Sequence, residues 1–246
     1  MRHTFSTVPL ACLALVAACG DGQPDVAPPD LDEVESDGEL EAAREALPAG
    51  DFLDLALGAK VIGPEGEDVT TRMTNEAGAF ADMTSYVACP AGFTSCDPAT
   101  VPEGTVFTYV HVVYPGEDND PDTGSGTGND SSDVESADLF RLTRPAHGFT
   151  GGVGYAKPEA LAAIGETGKV VISCEGEALA WTVYAGDGGD QWEQAEPITF
   201  YWQSTVPPAG PAEAYEIFAN DVAAQGSGPY PGVDAAAGNA CPSLPN

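Results

Sequence analysis

Alternating aspartates in an acidic stretch are the first candidates for chemistry in this sequence. Asp118, Asp120 and Asp122 have the D-x-D-x-D spacing with which calcium loops place alternate oxygen ligands on a tight turn. Thr123 stands where such a loop needs glycine, and Asn129 stands where it needs a closing bidentate glutamate. The stretch therefore predicts either a weak calcium site or a solvated acidic loop.

The same stretch contains Asp122-Thr123-Gly124-Ser125, which has the letters of the aspartic-protease active-site tetrapeptide. Those enzymes place the motif where its aspartate faces a second carboxylate, so that the two acids share one proton. Here the motif lies in a polar run rich in glycine, serine and aspartate. We interpret the match as coincidental because the structural context is missing.

Histidine and tryptophan side chains are the next candidates. His111 alternates with Tyr109 and Val113 in an apolar run, so we expect a buried or half-buried structural histidine. His147 lies in a loop rich in proline and glycine, and no nucleophile elbow, zinc-protease motif or phosphate loop accompanies either histidine. Three tryptophans could line a carbohydrate-binding surface, although aromatic residues on strands are more often core: Trp181, Trp192 and Trp202.

Four cysteines form an even set in the body of the chain: Cys89, Cys96, Cys174 and Cys241. An even count in an exported protein predicts disulfides. Four cysteines allow three pairings, and the sequence leaves the choice open; Cys89 and Cys96 bracket a Pro-Ala-Gly segment that can turn back on itself, which favours a local bridge there. Cys174 would then pair with Cys241 and fasten the tail to a core strand. A zinc site is the weaker alternative, because no C-x-x-C is present.

The amino terminus has the parts of an export signal. A short basic start precedes the apolar run Leu10 to Ala18, which is shorter than the roughly 20 residues of a membrane-spanning helix. Val16-Ala17-Ala18-Cys19 resembles the lipobox of bacterial lipoproteins. This resemblance covers residues 1–20 only. It implies diacylglycerol on the Cys19 sulfur, cleavage before Cys19 and acylation of the new amino terminus; plain cleavage after Ala18 is the alternative.

A tether is expected between Cys19 and the folded part. Residues 20–37 contain seven acids, three prolines and no base, which is typical of a disordered, extended segment. The lipoprotein resemblance implies the bacterial envelope, and Gly20 after the cysteine favours the outer over the inner membrane. The predicted plan is a signal peptide over 1–18, a lipidated tether over 19–37 and one β-rich domain over 38–246, with a flexible acidic loop at 116–138.

The overall charge narrows the choice of partners. The chain has 39 Asp and Glu against eight Lys and Arg, a formal net charge of −31. This charge repels phosphate backbones and anionic lipid headgroups, which argues against nucleic-acid binding. It permits a cation or a basic protein as ligand. It also serves solubility, since salt screens charges beyond about 8 Å at physiological ionic strength.

Apolar alternation predicts a mainly β domain, a β-sandwich or an open β-barrel with one or two short helices. One helix is expected from Ser36 to Leu47 and one over the PEALAAI segment that begins at Pro158. The tail from Gln225 is expected to be mostly irregular. The expected strands cover 53–61, 69–73, 84–89, 106–114 and 137–144, then a hairpin of 169–174 with 178–184 and a second hairpin of 198–204 with 214–219.

These features predict a lipid-anchored exported protein that acts as a non-enzymatic structural or binding module. One alternative is a calcium-dependent adhesion or recognition module that uses the acidic loop. The other alternative is a hydrolase whose site the sequence does not assemble.

Overall fold

The computed structural model describes residues 46–63, 68–116, 134–234 and 237–241. Within these ranges the chain forms twelve strands, one α-helix and a 3₁₀ turn at Phe52–Asp54. The helix, α1, is Lys157–Ile164. The strands are β1 Gly50–Asp51, β2 Leu57–Lys60, β3 Val69–Asn75, β4 Gly78–Pro90, β5 Phe107–Pro115, β6 Ala137–Leu142, β7 Phe149–Tyr155, β8 Lys169–Glu175, β9 Ala178–Tyr184, β10 Ile198–Ser204, β11 Pro208–Ala219 and β12 Val222–Pro231.

All strands belong to one sheet, so the mainly β class predicted from apolar alternation is confirmed. The strand order is β1-β7-β10-β5-β4-β3-β12-β11-β6-β9-β8, and β2 pairs with β4 beside this path. Neighbouring strands are antiparallel except for β1, which runs parallel to β7. None of the helices in the described part of the chain has the length and apolar character needed to cross a bilayer.

Contacts between aromatic rings show that the sheet curls back on itself. Phe140 of β6 and Phe200 of β10 are far apart in strand order, yet their ring centroids are 5.1 Å apart. Trp181 of β9 contacts both rings, at 5.7 and 5.8 Å. The inner face of the sheet therefore closes around one apolar core, in an open, curled arrangement that fits the predicted sandwich or open barrel.

The second predicted hairpin is wrong. β10 pairs with β5 and β7, whereas β11 pairs with β12 and β6. Six of the seven residues of β10 are buried, which is the pattern of a central strand covered on both faces and paired along both edges. The short link after Ser204 carries the chain to the opposite half of the curled sheet, so adjacency in sequence did not give adjacency in the sheet.

Two glycine-rich strands differ from the sequence-based expectation. The tail was expected to be irregular from Gln225, but β12 continues to Pro231, and β7 was not predicted at all. A Cβ on Gly226 would lie 2.9 Å from the Met73 side chain, and a Cβ on Gly228 would lie 2.9 Å from Tyr215. Glycine occupies these strands because neighbouring groups leave no room for a side chain.

The start of the domain also differs. The strand expected over 53–61 begins only at Leu57, because residues 52–54 form the 3₁₀ turn. Leu47 was expected at the end of a helix, but the backbone of residues 46–49 is not helical. The Leu47 amide instead donates a hydrogen bond to a backbone carbonyl of β8. The remainder of that helix, the signal peptide and the tether lie outside the described residues.

Candidate functional site

Two strands near the ends of the strand order flank a gap, which we call the seam. Its sides are β7 (Phe149–Tyr155) and β8 (Lys169–Glu175), which do not pair with each other. The Trp181 indole N–H, from β9 next to β8, donates to the Gly154 carbonyl of β7 at 3.1 Å and links the two sides through the interior. The seam is the place where the sheet could open with the loss of one short strand pair of its main path, β1 with β7.

Residues 46–51, which we call the clasp, lie in the seam. The Leu47 amide donates to the Ile172 carbonyl of β8 at 2.7 Å. On the other side, Gly50 and Asp51 pair in parallel with Gly154–Tyr155 of β7. The clasp thus bonds to both sides of the seam and completes the ring of strands.

Close packing fixes which residues the clasp can use. A Cβ on Gly50 would lie 2.1 Å from the Tyr201 hydroxyl oxygen, and a Cβ on Gly154 would lie 2.2 Å from the Gly50 carbonyl oxygen. Both positions therefore require glycine. The side chains of Leu47 and Ala49 pack against the core while remaining partly exposed. Two small apolar contacts and one close backbone approach hold the clasp in place.

Asp51 ends the clasp with a polar anchor. Its Oδ1 accepts hydrogen bonds from the Leu53 amide at 3.1 Å and from the Lys157 amide at 3.3 Å. The first bond caps the 3₁₀ turn and the second satisfies a donor at the start of α1. Burial, with Asp51 as a lesser cause, raises the pKa of Tyr155 and of Tyr201. Both phenols therefore stay neutral beside the clasp at physiological pH.

A small cavity borders the seam between α1 and β8. Its volume is about 160 Å³, below the roughly 300 Å³ at which sites for drug-sized ligands begin. Tyr155, Val170 and the exposed Leu161 line it, and the stems of Lys157 and Lys169 complete its wall. The edge of β8 next to the clasp is therefore not fully covered.

The C-terminal tail, residues 237–241, spans the seam at another level. The Ala240 amide donates to the Phe149 carbonyl at the start of β7, at 3.0 Å. Cys241 forms a disulfide with Cys174 of β8, and the Asn239 side-chain amide donates to the Glu177 carbonyl at 2.9 Å. The predicted pairing that fastens the tail to a core strand is confirmed.

The second predicted disulfide is also present. Cys89 at the end of β4 is bonded to Cys96, at a sequence separation of seven. Cys96 also forms an isolated bridge with Val61, after β2. This local disulfide fastens the loop after β4, away from either side of the seam.

His111 lies in the core as a buried histidine, as predicted. It has no exposed surface, and its Nδ1 is 2.9 Å from the Ser85 hydroxyl oxygen on the facing residue of β4. Its ring centroid is 4.3 Å from that of Tyr215. Burial lowers the pKa of His111 to about 3, so the ring is neutral at physiological pH.

A serine and a histidine within hydrogen-bonding distance are the first requirement of an activated nucleophile. Ser85 and His111 are both fully buried, however, so a substrate has no access to the serine hydroxyl. This geometry gives the pair a structural role and does not favour the hydrolase hypothesis. Sequence reasoning missed Ser85 because only the register of β4 with β5 places it opposite His111.

The remaining aromatic candidates are also core residues. Trp181, Trp192 and Trp202 are at most 1% exposed, which confirms the interpretation of these residues as core. Trp192 donates its indole N–H to the Glu196 carbonyl at 2.6 Å, and Trp202 stacks on Tyr109 at 4.6 Å. His147 is partly buried near Tyr230, with ring centroids 6.0 Å apart.

Several predicted site residues lie outside the described residues: Cys19, Asp118, Asp120, Asp122 and the tetrapeptide from Asp122 to Ser125. Lipidation and the calcium loop therefore stay predictions. Among the residues that the structure does describe, no three His, Cys, Asp or Glu side chains are grouped in a way that could hold a metal ion. Comparison of the chain with protein-family models, with curated proteins and with solved structures gave no match.

Proposed function

We propose that this chain is an exported bacterial lipoprotein, held on an envelope membrane by lipid on Cys19 and displaying its β domain as a structural or binding module. The pairing of the cysteines carries this proposal. The four cysteines that follow Cys19 bond to one another in two disulfides. Disulfides persist in oxidising compartments and are rare in the reducing cytosol, so the pairing supports export.

The same pairing defines what remains for Cys19. Because Cys89, Cys96, Cys174 and Cys241 satisfy one another, the folded domain does not need the Cys19 thiol for a disulfide. The lipobox resemblance of residues 16–19 implies that this thiol carries diacylglycerol. Two or three acyl chains hold a protein stably on a membrane, at roughly 0.8 kcal/mol for each buried CH₂.

Charge supports attachment by lipid rather than by surface electrostatics. A net charge of −31 repels anionic headgroups, so this protein has no general electrostatic attraction to a membrane. Residues 20–37 would keep the acidic domain away from the membrane surface, because their charges repel one another and extend the segment.

A non-catalytic role fits the arrangement of the polar groups in the core. The one serine–histidine pair described above is inaccessible to a substrate, and the aromatic side chains that sequence analysis singled out are core. The seam is the feature of the described domain where a short segment, the clasp, bonds to two strands that do not pair with each other. We therefore favour a binding or structural module over a hydrolase.

Metabolic labelling with palmitate, combined with mass spectrometry of the amino-terminal peptide, tests this proposal in a bacterial host. The wild type should incorporate label, begin at Cys19 and partition into detergent. Cys19→Ser should lose the label, whereas the matched Cys12→Ser variant should keep it because residue 12 lies in the predicted signal peptide. A mature amino terminus at an unmodified Cys19, or label that persists in Cys19→Ser, would refute lipid anchoring.

A further inference from the structure

We infer that the seam is a strand-acceptor site, filled in cis by the clasp and able to receive the clasp of a second copy of this chain. One side of the seam is β8, which is one end of the strand order, and the other side is β7, which only the two-residue β1 of the clasp separates from the other end; β7 and β8 do not pair with each other. Sheet ends present backbone N–H and C=O groups that bind an added extended segment. The clasp already uses these groups, through the Leu47 amide and through the pairing of Gly50 and Asp51.

The clasp can detach from the seam without disturbing the core. Its side chains at Leu47 and Ala49 are only partly buried, and no disulfide joins it to either side of the seam. The turn that follows it, Phe52–Asp54, has no buried residue and can serve as a hinge. Segments with few buried contacts open locally at a lower free energy than the global unfolding free energy.

The geometry of the seam specifies the incoming strand. Apolar residues are required at the positions of Leu47 and Ala49, which face the core. Glycine is required next, because the Tyr201 hydroxyl leaves no room for a Cβ. An aspartate then accepts the exposed amide at the start of α1. The segment that carries this pattern is the clasp itself, so a second copy is the partner that fits.

Effective concentration decides between closure in cis and exchange in trans. A segment joined by a short linker has an effective concentration of about millimolar, so the cis clasp prevails in dilute solution. Exchange in trans requires either crowding of copies or a weakened cis clasp. Residues 20–37, the 18-residue tether predicted from the sequence, would reach about 60 Å when extended, enough for two copies anchored on one membrane to meet.

This inference supplies a partner for the binding module proposed above and rests on it only for the crowding of copies. The test uses the purified full chain in solution, without a membrane. Failure of strand exchange would therefore leave lipid anchoring untouched, and failure of lipidation would leave the peptide measurements below unchanged.

The experiment releases the cis clasp and supplies it again as a peptide. Leu47→Asp places a charge against the core, and Leu53→Asp is the matched control because Leu53 is 67% exposed in the adjoining turn. Hydrogen exchange followed by mass spectrometry should show that residues 149–155 and 169–175 exchange about tenfold faster in Leu47→Asp and at the wild-type rate in Leu53→Asp. A peptide of residues 44–54 at about 1 mM should restore protection in Leu47→Asp.

A peptide of the same segment with Gly50→Val should give no protection, because its side chain would meet the Tyr201 hydroxyl. Equal protection by both peptides, or none by the wild-type peptide, overturns the acceptor site. Deletion of residues 52–54 prevents the clasp from reaching its own seam and should yield a dimer in light scattering, since a shortened hinge favours exchange. A monomer with a rapidly exchanging seam overturns the second copy as partner and leaves a foreign peptide as the occupant.

Native-state exchange of the wild type keeps the proposal testable if Leu47→Asp fails to fold. The amides of Leu47 and of residues 49–51 should exchange through a local opening that is insensitive to low denaturant, and faster than those of β5 and β10. Exchange of these amides only through global unfolding would overturn the proposal.

Discussion

The clasp and the tail both span the seam, yet they are held by different means. The clasp uses hydrogen bonds and a few partly buried side chains, whereas the tail is joined to β8 through the Cys174–Cys241 disulfide. A hydrogen bond adds only about 0.5–1.5 kcal/mol of net stability, while a disulfide restricts the unfolded chain whatever the local contacts. The tail is therefore held across the seam permanently in an oxidising compartment, whereas the clasp is held reversibly.

The difference matches the position of each segment in the chain. The tail follows the last strand, so no other strand depends on its movement. The clasp lies in sequence between the proposed membrane tether, residues 19–37, and the other strands, so any pull from an anchor reaches the clasp before it reaches those strands. A seam with one covalent and one reversible crossing can open on the clasp side while the strands on both sides keep their remaining partners.

Removal of the tail disulfide should have the largest effect on stability. Replacing Cys174 and Cys241 by alanine opens a loop with a sequence separation of 67, which the chain-entropy model values at about 4 kcal/mol. Replacing Cys89 and Cys96, with a separation of seven, is the matched control and should cost about 2 kcal/mol. Urea unfolding of the three proteins measures both losses. An equal loss in the two variants would mean that the tail does not staple the seam.

Acid should weaken the whole domain through His111 and leave the contrast between clasp and tail unchanged. The pKa of His111 is lowered from 6.5 to about 3 by burial, so the unfolded chain binds a proton between these values and the folded chain does not. Stability is therefore lost as the pH falls from 6.5 towards 3, by up to about 1.4 kcal/mol for each pH unit. Urea unfolding at pH 6.5 and pH 5 should show about 2 kcal/mol less stability at the lower pH from this group.

The contribution of His111 is isolated by comparing variants. His111→Gln should remove this part of the pH dependence, while Ser85→Ala should keep it because the ring stays buried. Other groups set the remaining slope. Burial raises the pKa of Asp138 and of Glu196, and a raised carboxyl pKa acts in the opposite direction. A slope that is the same in the wild type and in His111→Gln would contradict this account.

A methyl group in the clasp should have the most local effect, and the smallest effect on the global free energy of unfolding. Gly50→Ala places a Cβ against the Tyr201 hydroxyl and should cost about 1–3 kcal/mol, confined to opening of residues 46–54. Gly238→Ala is the matched change in the tail, where a Cβ would meet nothing within 4 Å, and should have no effect. Hydrogen exchange of each segment measures the difference. Addition of Tyr201→Phe should relieve Gly50→Ala; absence of any rescue would show that another contact excludes the Cβ.

Local patterns predicted the parts of the fold that local chemistry controls. The high density of β-branched and aromatic residues predicted β5, and the spacing of proline and glycine predicted α1. The two disulfides followed from an even cysteine count and one turn-forming segment. The buried state of His111 followed from its alternation with Tyr109 and Val113. Each of these inferences needs only neighbours within a few residues, or a simple pairing argument.

The sequence patterns did not predict strands whose glycines are required by residues that are distant in the chain. The residue at position 154 of β7 is glycine because the Gly50 backbone lies against it. The residue at position 226 of β12 is glycine because Met73 lies against it. In a short stretch of sequence, glycine indicates a loop, because the residue whose contact requires the glycine is far away in the chain. The pairing of β10 with β5 rather than β11 has the same origin, because the partner is chosen by the curl of the whole sheet.

By itself the sequence determined the β class, the presence of disulfides among four cysteines and the structural role of His111, since alternation, composition and count carry this information; the structure decided which cysteines pair. Only the tertiary structure decided that the sheet curls, that its ends meet at a seam, and that residues 46–51 and the tail span it by different means. A seam exists where two strands fail to pair, and that depends on the order of all the other strands, which no local pattern records.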